Sequence, residues 1–213
     1  MANILRLATF FCVAVAHPAV GFGRAFGQIK VPDTAALLKG FLNPKGDGAL
    51  IQRRKELKDR LQQECEKNDR LQIEEIIAEL QQLTPTPNSA SSQLLQRKWL
   101  LAWTTEKEIN LFIDWNLSSD IYQTIDGSVL ENMIPFQMGG YLGVKGNLSA
   151  ELDGVRTNFE FTEATLDLGR WGSFNIPPVG KGWFDTVYLD KELRVDTNSR
   201  NDILICRPMD DSC

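Results

Sequence analysis

The chain has 213 residues, of which 43% are apolar and 24% charged, with a formal net charge of -5. That balance suits one modest soluble domain with an appendage or a targeting leader. An acidic chain without grouped Lys/Arg excludes recognition of nucleic-acid phosphates and simple electrostatic adhesion to anionic membranes.

Residues 1–27 read as a targeting leader. Arg6 and the amino terminus are positive, and Leu7 to Ala16 form an apolar stretch of signal-peptide length, short of a bilayer span. Small residues suited to cleavage follow at Ala14, Ala16, Ala19 and Gly21. The only histidine, His17, falls inside this leader. Its removal excludes Ser-His-Asp and Cys-His nucleophile systems and any His-ligated metal. Cys12 also lies in the leader, and Cys65, Cys206 and Cys213 form no C-x-x-C pair. Neither a disulfide framework nor a zinc site is implied, and no metal or cofactor is expected.

Residues 28–88 read as a helical segment. Asp33 can cap a short helix carrying Leu37, Leu38, Phe41 and Leu42, which Pro44 and Gly46 should end. Leu50, Arg54, Leu57, Leu61 and Cys65 then follow a helical period on a heavily charged helix. Asp69 with Gln72 looks like a capping box for a second helix, striped by Ile73, Ile76, Ile77, Leu80 and Leu83 and stopped by Pro85 and Pro87. These amphipathic faces suit packing within the protein or contact with lipid. Thr84–Gln93 is a linker by composition.

From residue 89 to 213 the period changes to two. Trp99, Leu101 and Trp103 should share one strand face, and Ile109, Leu111, Ile113 and Trp115 another. Ile121 and Ile125 face one way with Gln123 between them, Phe159 and Phe161 alternate with Glu160, and Ile203 and Ile205 close the series. Gly127, Gly146, Gly154, Gly169 and Gly182 should mark turns. Short alternating strands with glycine turns predict an antiparallel sandwich or barrel, and a barrel of about eight strands has room for one small ligand. The expected fold class is therefore α+β, mainly β: an antiparallel barrel preceded by an amphipathic helical segment.

Three blocks, in order, resemble the plastid lipid-associated protein (PAP)/fibrillin family. Leu95–Ile109 (LQRKWLLAWTTEKEI) is similar to the family's Trp-containing opening strand, related to a lipocalin G-x-W signature, with Arg97 standing where the glycine usually is. Ile121–Phe136 (IYQTIDGSVLENMIPF) resembles its central strand pair. Pro177–Pro208 resembles its terminal signature around Tyr188-Leu-Asp190 and Leu193-Arg194-Val195. The resemblance implies a lipocalin-like barrel in a plastid protein of thylakoids or plastoglobules. It implies binding of carotenoids, prenylquinones or related lipids, without nucleic-acid partners.

Two readings stand for the singled-out aromatics. Trp99 and Trp103 either floor a ligand cavity or fill the core, and so do Phe159, Phe161, Trp171, Phe174 and Trp183. Gly169–Phe184 is too rich in Gly and Pro for regular strand and reads as a loop at one barrel end, a candidate for ligand or membrane contact. Asp190 and Arg194 are expected to pair and fix a turn, or Tyr188 and Asp190 to present polar groups to a lipid at the barrel mouth. The functions in view are a non-enzymatic binder or carrier of hydrophobic lipid, a peripheral coat of membranes or lipid droplets with no internal ligand, and a cofactor-independent lipid isomerase or cyclase. A buried carboxylate with a raised pKa would favour the last.

Overall fold

A computed structural model describes residues 44–118, 120–178 and 180–209. The leader, the short helix expected after Asp33, His17, Cys12 and Cys213 lie outside the described residues. The chain divides into two units at Leu83/Thr84, a helical pair and a barrel.

The helical pair consists of α1 (Pro44–Lys67) and α2 (Arg70–Gln82). Pro44 opens α1: a first-turn proline gives up an N–H that has no helical acceptor anyway. Leu57 and Leu61 on α1 and Ile73, Ile76, Ile77 and Leu80 on α2 are buried, as their spacing predicts. Asp69 caps α2 by accepting from the Gln72 amide at 3.2 Å. The box is half-formed, because the Gln72 side chain donates to Glu75 at 3.1 Å instead of reaching back. Arg53 makes a forked pair with Glu79 at 2.7 and 2.9 Å, and Arg54 Nε donates to the Leu83 carbonyl at 2.7 Å, closing the frayed end of α2.

The barrel unit is built from β1 (Lys98–Thr104), α3 (Lys107–Asp114), β2 (Tyr122–Asp126), β3 (Val129–Pro135), β4 (Tyr141–Ala150), β5 (Arg156–Asp167), β6 (Ser173–Ile176), β7 (Lys181–Leu189), β8 (Arg194–Asn198) and β9 (Ile203–Pro208). Antiparallel pairing runs β4-β3-β2-β1-β9-β8-β7-β5, and β4 also pairs with β5, so eight strands close on themselves. The lipocalin-like, mainly β expectation holds. Closure leaves β6 outside the ring. Along β5, Arg156–Glu160 pair with β7 and Ala164–Asp167 pair with β6, so the wall changes partner partway up.

Register shifts bend the wall at three places, one of them between Thr186 and Tyr188 on β7. A register shift at Lys145/Gly146 lets β4 follow β5, and a Cβ at Gly146 would lie 2.4 Å from the Glu160 carbonyl oxygen; only glycine permits that approach. The third falls between Leu101 and Trp103. It breaks the alternation expected for β1: Trp99 and Leu101 face the interior, whereas Trp103 pairs with Ile205 on the outer face. Gly127, Gly154 and Gly169 sit in turns at positive φ, while Gly146 and Gly182 lie within strands.

The strand expected through Ile109, Leu111, Ile113 and Trp115 is the helix α3. Ile109 and Phe112, three apart, are buried on its inner face, and Ile113 and Trp115 are exposed. Thr104 turns the chain from β1 by accepting from the Glu106 amide at 3.0 Å, so helical period wins over apparent alternation. Ile109 and Phe112 join Ile121, Ile134, Phe136, Leu142, Val144, Ala164 and Leu166 in an apolar cluster at the α3 end of the barrel. At the other end, two short 3-10 turns, Ser89–Ser91 and Gln93–Leu95, bring Leu95 into a cluster with Trp99, Ile125, Leu130, Phe184, Leu189 and Cys206. The Thr84–Gln93 linker is thus partly structured, and Ser89 Oγ donates to the Thr186 carbonyl at 2.7 Å.

Candidate functional site

Alternation around a closed ring divides every strand into inward and outward residues. The cross-strand pairs put Trp99, Leu101, Gln123, Asn132, Gly146, Leu148, Phe159, Phe161, Phe184, Arg194, Asp196 and Leu204 on the inner face. Between the two apolar clusters, the inward residues Leu101, Gln123, Asn132, Leu148, Phe159, Phe161 and Leu204 are only partly buried. Leu101 and Phe161 touch both clusters. Phe159 packs on Phe161 with ring centroids 5.0 Å apart and on Phe184 at 6.5 Å.

A polar chain crosses this level. The Asp196 carboxylate accepts from Arg194 Nε at 2.8 Å through one oxygen and from Thr186 Oγ1 at 2.8 Å through the other. Arg194 Nη2 reaches the same carboxylate at 2.7 Å and donates to Gln123 Oε1. Gln123 Nε2 donates onward to Asn132 Oδ1 at 2.8 Å. The guanidinium carbon lies 5.3 Å from the Trp99 ring and 5.8 Å from Phe184, so the cation rests between aromatic faces. Trp99 is fixed in turn by its indole N–H, which donates to the Leu95 carbonyl at 3.0 Å. Two interior polar atoms, Arg194 Nη1 and Thr157 Oγ1, are buried without a hydrogen-bond partner.

Burial pushes the Asp196 carboxyl up, against the lowering effect of Arg194 and Thr186. A buried carboxylate of that kind is what an acid-base enzyme would need. Here the two oxygens accept from Thr186 and Arg194, which makes the carboxylate the counter-charge of a buried cation. The other carboxyl raised by burial is Glu106, between β1 and α3. Burial raises it to about 7, with Asp202 and Glu108 adding to the rise and Arg200 and Asn198 opposing it. Asn198 Nδ2 donates to it at 2.7 Å and Arg200 lies 3.4 Å away, which marks it as part of the α3-end scaffold. Among the described residues no group of His, Cys, Asp and Glu could hold a metal ion. Cys206 is a free thiol on the inner face, pushed up to about 12 by burial.

The residues singled out from sequence separate into three places. Trp99, Phe159, Phe161 and Arg194 meet in the interior. Trp103, Trp183 and Tyr188 face outward: Trp183 stacks under Arg156 at 3.6 Å, and Arg156 forks onto Asp185 at 2.8 Å through both nitrogens. Tyr188 pairs with Val195 on the outer face, and its hydroxyl donates to Asp190 at 2.7 Å. Trp171 on the β5–β6 connection and Phe174 on β6 are exposed.

The expected Asp190–Arg194 pair is replaced by Arg194–Asp196. Asp190 Oδ1 accepts the Glu192 and Leu193 amides at 2.7 Å each, which fixes the β7–β8 turn. The Gly169–Phe184 stretch contains β6 and the start of β7, so it is not wholly loop. Sequence reasoning missed Phe184, Asp196, Thr186 and Asn132. The available signals were the adjacency of Trp183 and Phe184, which forces one of them inward, and the polar Gln123 inside an isoleucine stripe.

The family model described as PAP_fibrillin matches residues 55–173. A protein of Arabidopsis thaliana named "Probable plastid-lipid-associated protein 11, chloroplastic" is 34% identical over 141 residues, covering 62% of this chain and 66% of that protein. The chain thus spans slightly less than two thirds of the length of this relative. No solved structure matches.

Proposed function

The chain belongs to the PAP/fibrillin family, and we propose that its barrel holds one hydrophobic lipid, without covalent chemistry, between the α3-end cluster and the Trp99 cluster. The observation that carries this reading is the partial exposure of Leu101, Leu148, Phe159, Phe161 and Leu204 on the inner face of a closed ring. A side chain enclosed by eight strands keeps accessible surface only where there is room inside or a mouth beside it. An apolar ligand filling that room gains ~25 cal/mol per Å² of buried surface.

The lipid enters where β5 exchanges β7 for β6, beside Gly169–Phe184, because the second edge of β5 changes partner there and β6 is itself paired with β5 alone. Trp99 and Phe184 form the floor. Arg194 Nη1 and Thr157 Oγ1, with Gln123 and Asn132 nearby, provide the few polar contacts. Since Arg194 is already neutralised by Asp196, a neutral carbonyl or hydroxyl fits this level better than a free carboxylate. Carotenoids, prenylquinones and related lipids are the candidate classes. The related Arabidopsis protein is named as chloroplastic, which supports a plastid location; within the plastid, thylakoids or plastoglobules are the proposed place, reached after cleavage of the 1–27 leader.

The test is extraction of the purified chain and mass spectrometry of what co-purifies, followed by titration of the delipidated protein with the same compounds. A stoichiometric neutral lipid that quenches tryptophan emission is the expected result. Protein that carries no lipid and shows no quenching overturns the proposal.

A further inference from the structure

Three connections at the α3 end carry large exposed apolar side chains at their tips. Trp115 stands at the end of α3, Met138 at the tip of the β3–β4 turn and Trp171 on the β5–β6 connection, with Ile113 and Phe174 beside them. Met138 is 92% exposed and both tryptophans are about half exposed. These are held together as one surface. Gln137 donates its amide to the Leu117 carbonyl at 3.0 Å and its side chain to Asn116 Oδ1 at 2.9 Å, which ties the β3–β4 turn to the exit of α3. On the other side, a Cβ at Gly140 would lie 2.3 Å from the Asp167 carbonyl oxygen, so the same turn is pressed against the β5–β6 connection.

We infer that this end of the barrel seats in a lipid surface of no net charge. Trp and Met on rigid, adjacent loop tips are suited to the interface between headgroups and acyl chains. The charged side chains on and next to these loops are Asp114, Asp120, Asp167 and Arg170. Three carboxylates against one guanidinium are repelled by an anionic surface and tolerated by an uncharged one. Arg170 lies 4.9 Å over the Trp171 ring, so its charge can stay at headgroup level while the ring is inserted. The surface also adjoins the partner exchange on β5 through which the internal lipid is proposed to pass. The inference rests on that reading for its purpose and not for its geometry.

The full chain is mixed with phosphatidylcholine vesicles whose acyl chains are brominated, which quench a tryptophan only on contact. Quenching of the parent chain, lost in Trp115→Phe/Trp171→Phe, is expected. Leu152→Ser, which removes a fully exposed leucine from the β4–β5 turn at the opposite end, should leave it unchanged, and Met138→Ser should weaken vesicle partitioning roughly tenfold. Equal quenching of the double variant, no quenching of either, or quenching only with added phosphatidylglycerol overturns the inference. So does a finding that the double variant abolishes self-association in sedimentation instead of vesicle contact. Lipid extraction of the same variant separates the two proposals: loss of quenching with retained internal lipid touches the surface alone.

Discussion

The Arg194 guanidinium lies 2.7 Å from the Asp196 carboxylate with 1% and 2% of the two side chains exposed. Such a pair is costly to bury and more costly to break. Asp196→Ala is expected to destabilise the barrel by about 3–5 kcal/mol, because it leaves a cation between Trp99 and Phe184 without a counter-charge. Arg194→Met/Asp196→Leu should recover most of that loss. Urea denaturation of the two variants beside the parent reads both numbers.

Glu106 gives the fold a pH dependence of the less common sign. Its carboxyl titrates near 4.5 when unfolded and about 7 when folded. Between those values the folded state binds more protons, so its contribution falls as pH rises from about 4.5 to about 7 and is complete only below that window. The size is on the order of 3 kcal/mol. Thermal denaturation across this range should show the decline in the parent and a flattened profile in Glu106→Gln.

Gly140 holds the β3–β4 turn against the end of β5 at φ +91 with no space for a Cβ. Gly140→Ala should cost roughly 1–3 kcal/mol, more than a surface substitution, since it adds both backbone strain and a clash with backbone. Gly127→Ala is the comparison: its φ is also positive but nothing lies within 4 Å of the added methyl. Melting temperatures of the two should separate strain from collision.

Filling the interior should separate binding from folding. Leu148→Phe with Leu204→Phe adds volume at two partly exposed inward positions. The expected outcome is a loss of lipid uptake of about tenfold or more with a change in stability of about 1–3 kcal/mol or less. Uptake is read by titration and stability by denaturant midpoint.

The strand positions were readable because alternation with glycine turns has few other solutions, and so were the two long helical stripes. Errors arose where one residue changes the period. A single bulge after Leu101 turns Trp103 outward, and Thr104 redirects the chain into α3, although Ile109, Leu111 and Ile113 alternate as a strand would. The interior site was legible only in part. Phe159 and Phe161 follow from period two, but the partner of Arg194 does not. Asp190 is four residues away along the chain, while Asp196 is two away, on the same face of the same strand. A turn spanning Asp190 to Arg194 was expected to bring those two together, but β8 begins at Arg194 and its period of two sets Asp196 beside it.

Because β6 hangs from the upper half of β5 and takes no part in closing the ring, the connection from residue 168 to 180 is an outrigger. Its length and composition can drift, by insertion, deletion or exchange with another hairpin, while the eight closing ladders stay intact. With lipid entering beside β6, as proposed, entrance and container would be separately heritable: one scaffold could be refitted for cargo of different girth without renegotiating its own stability.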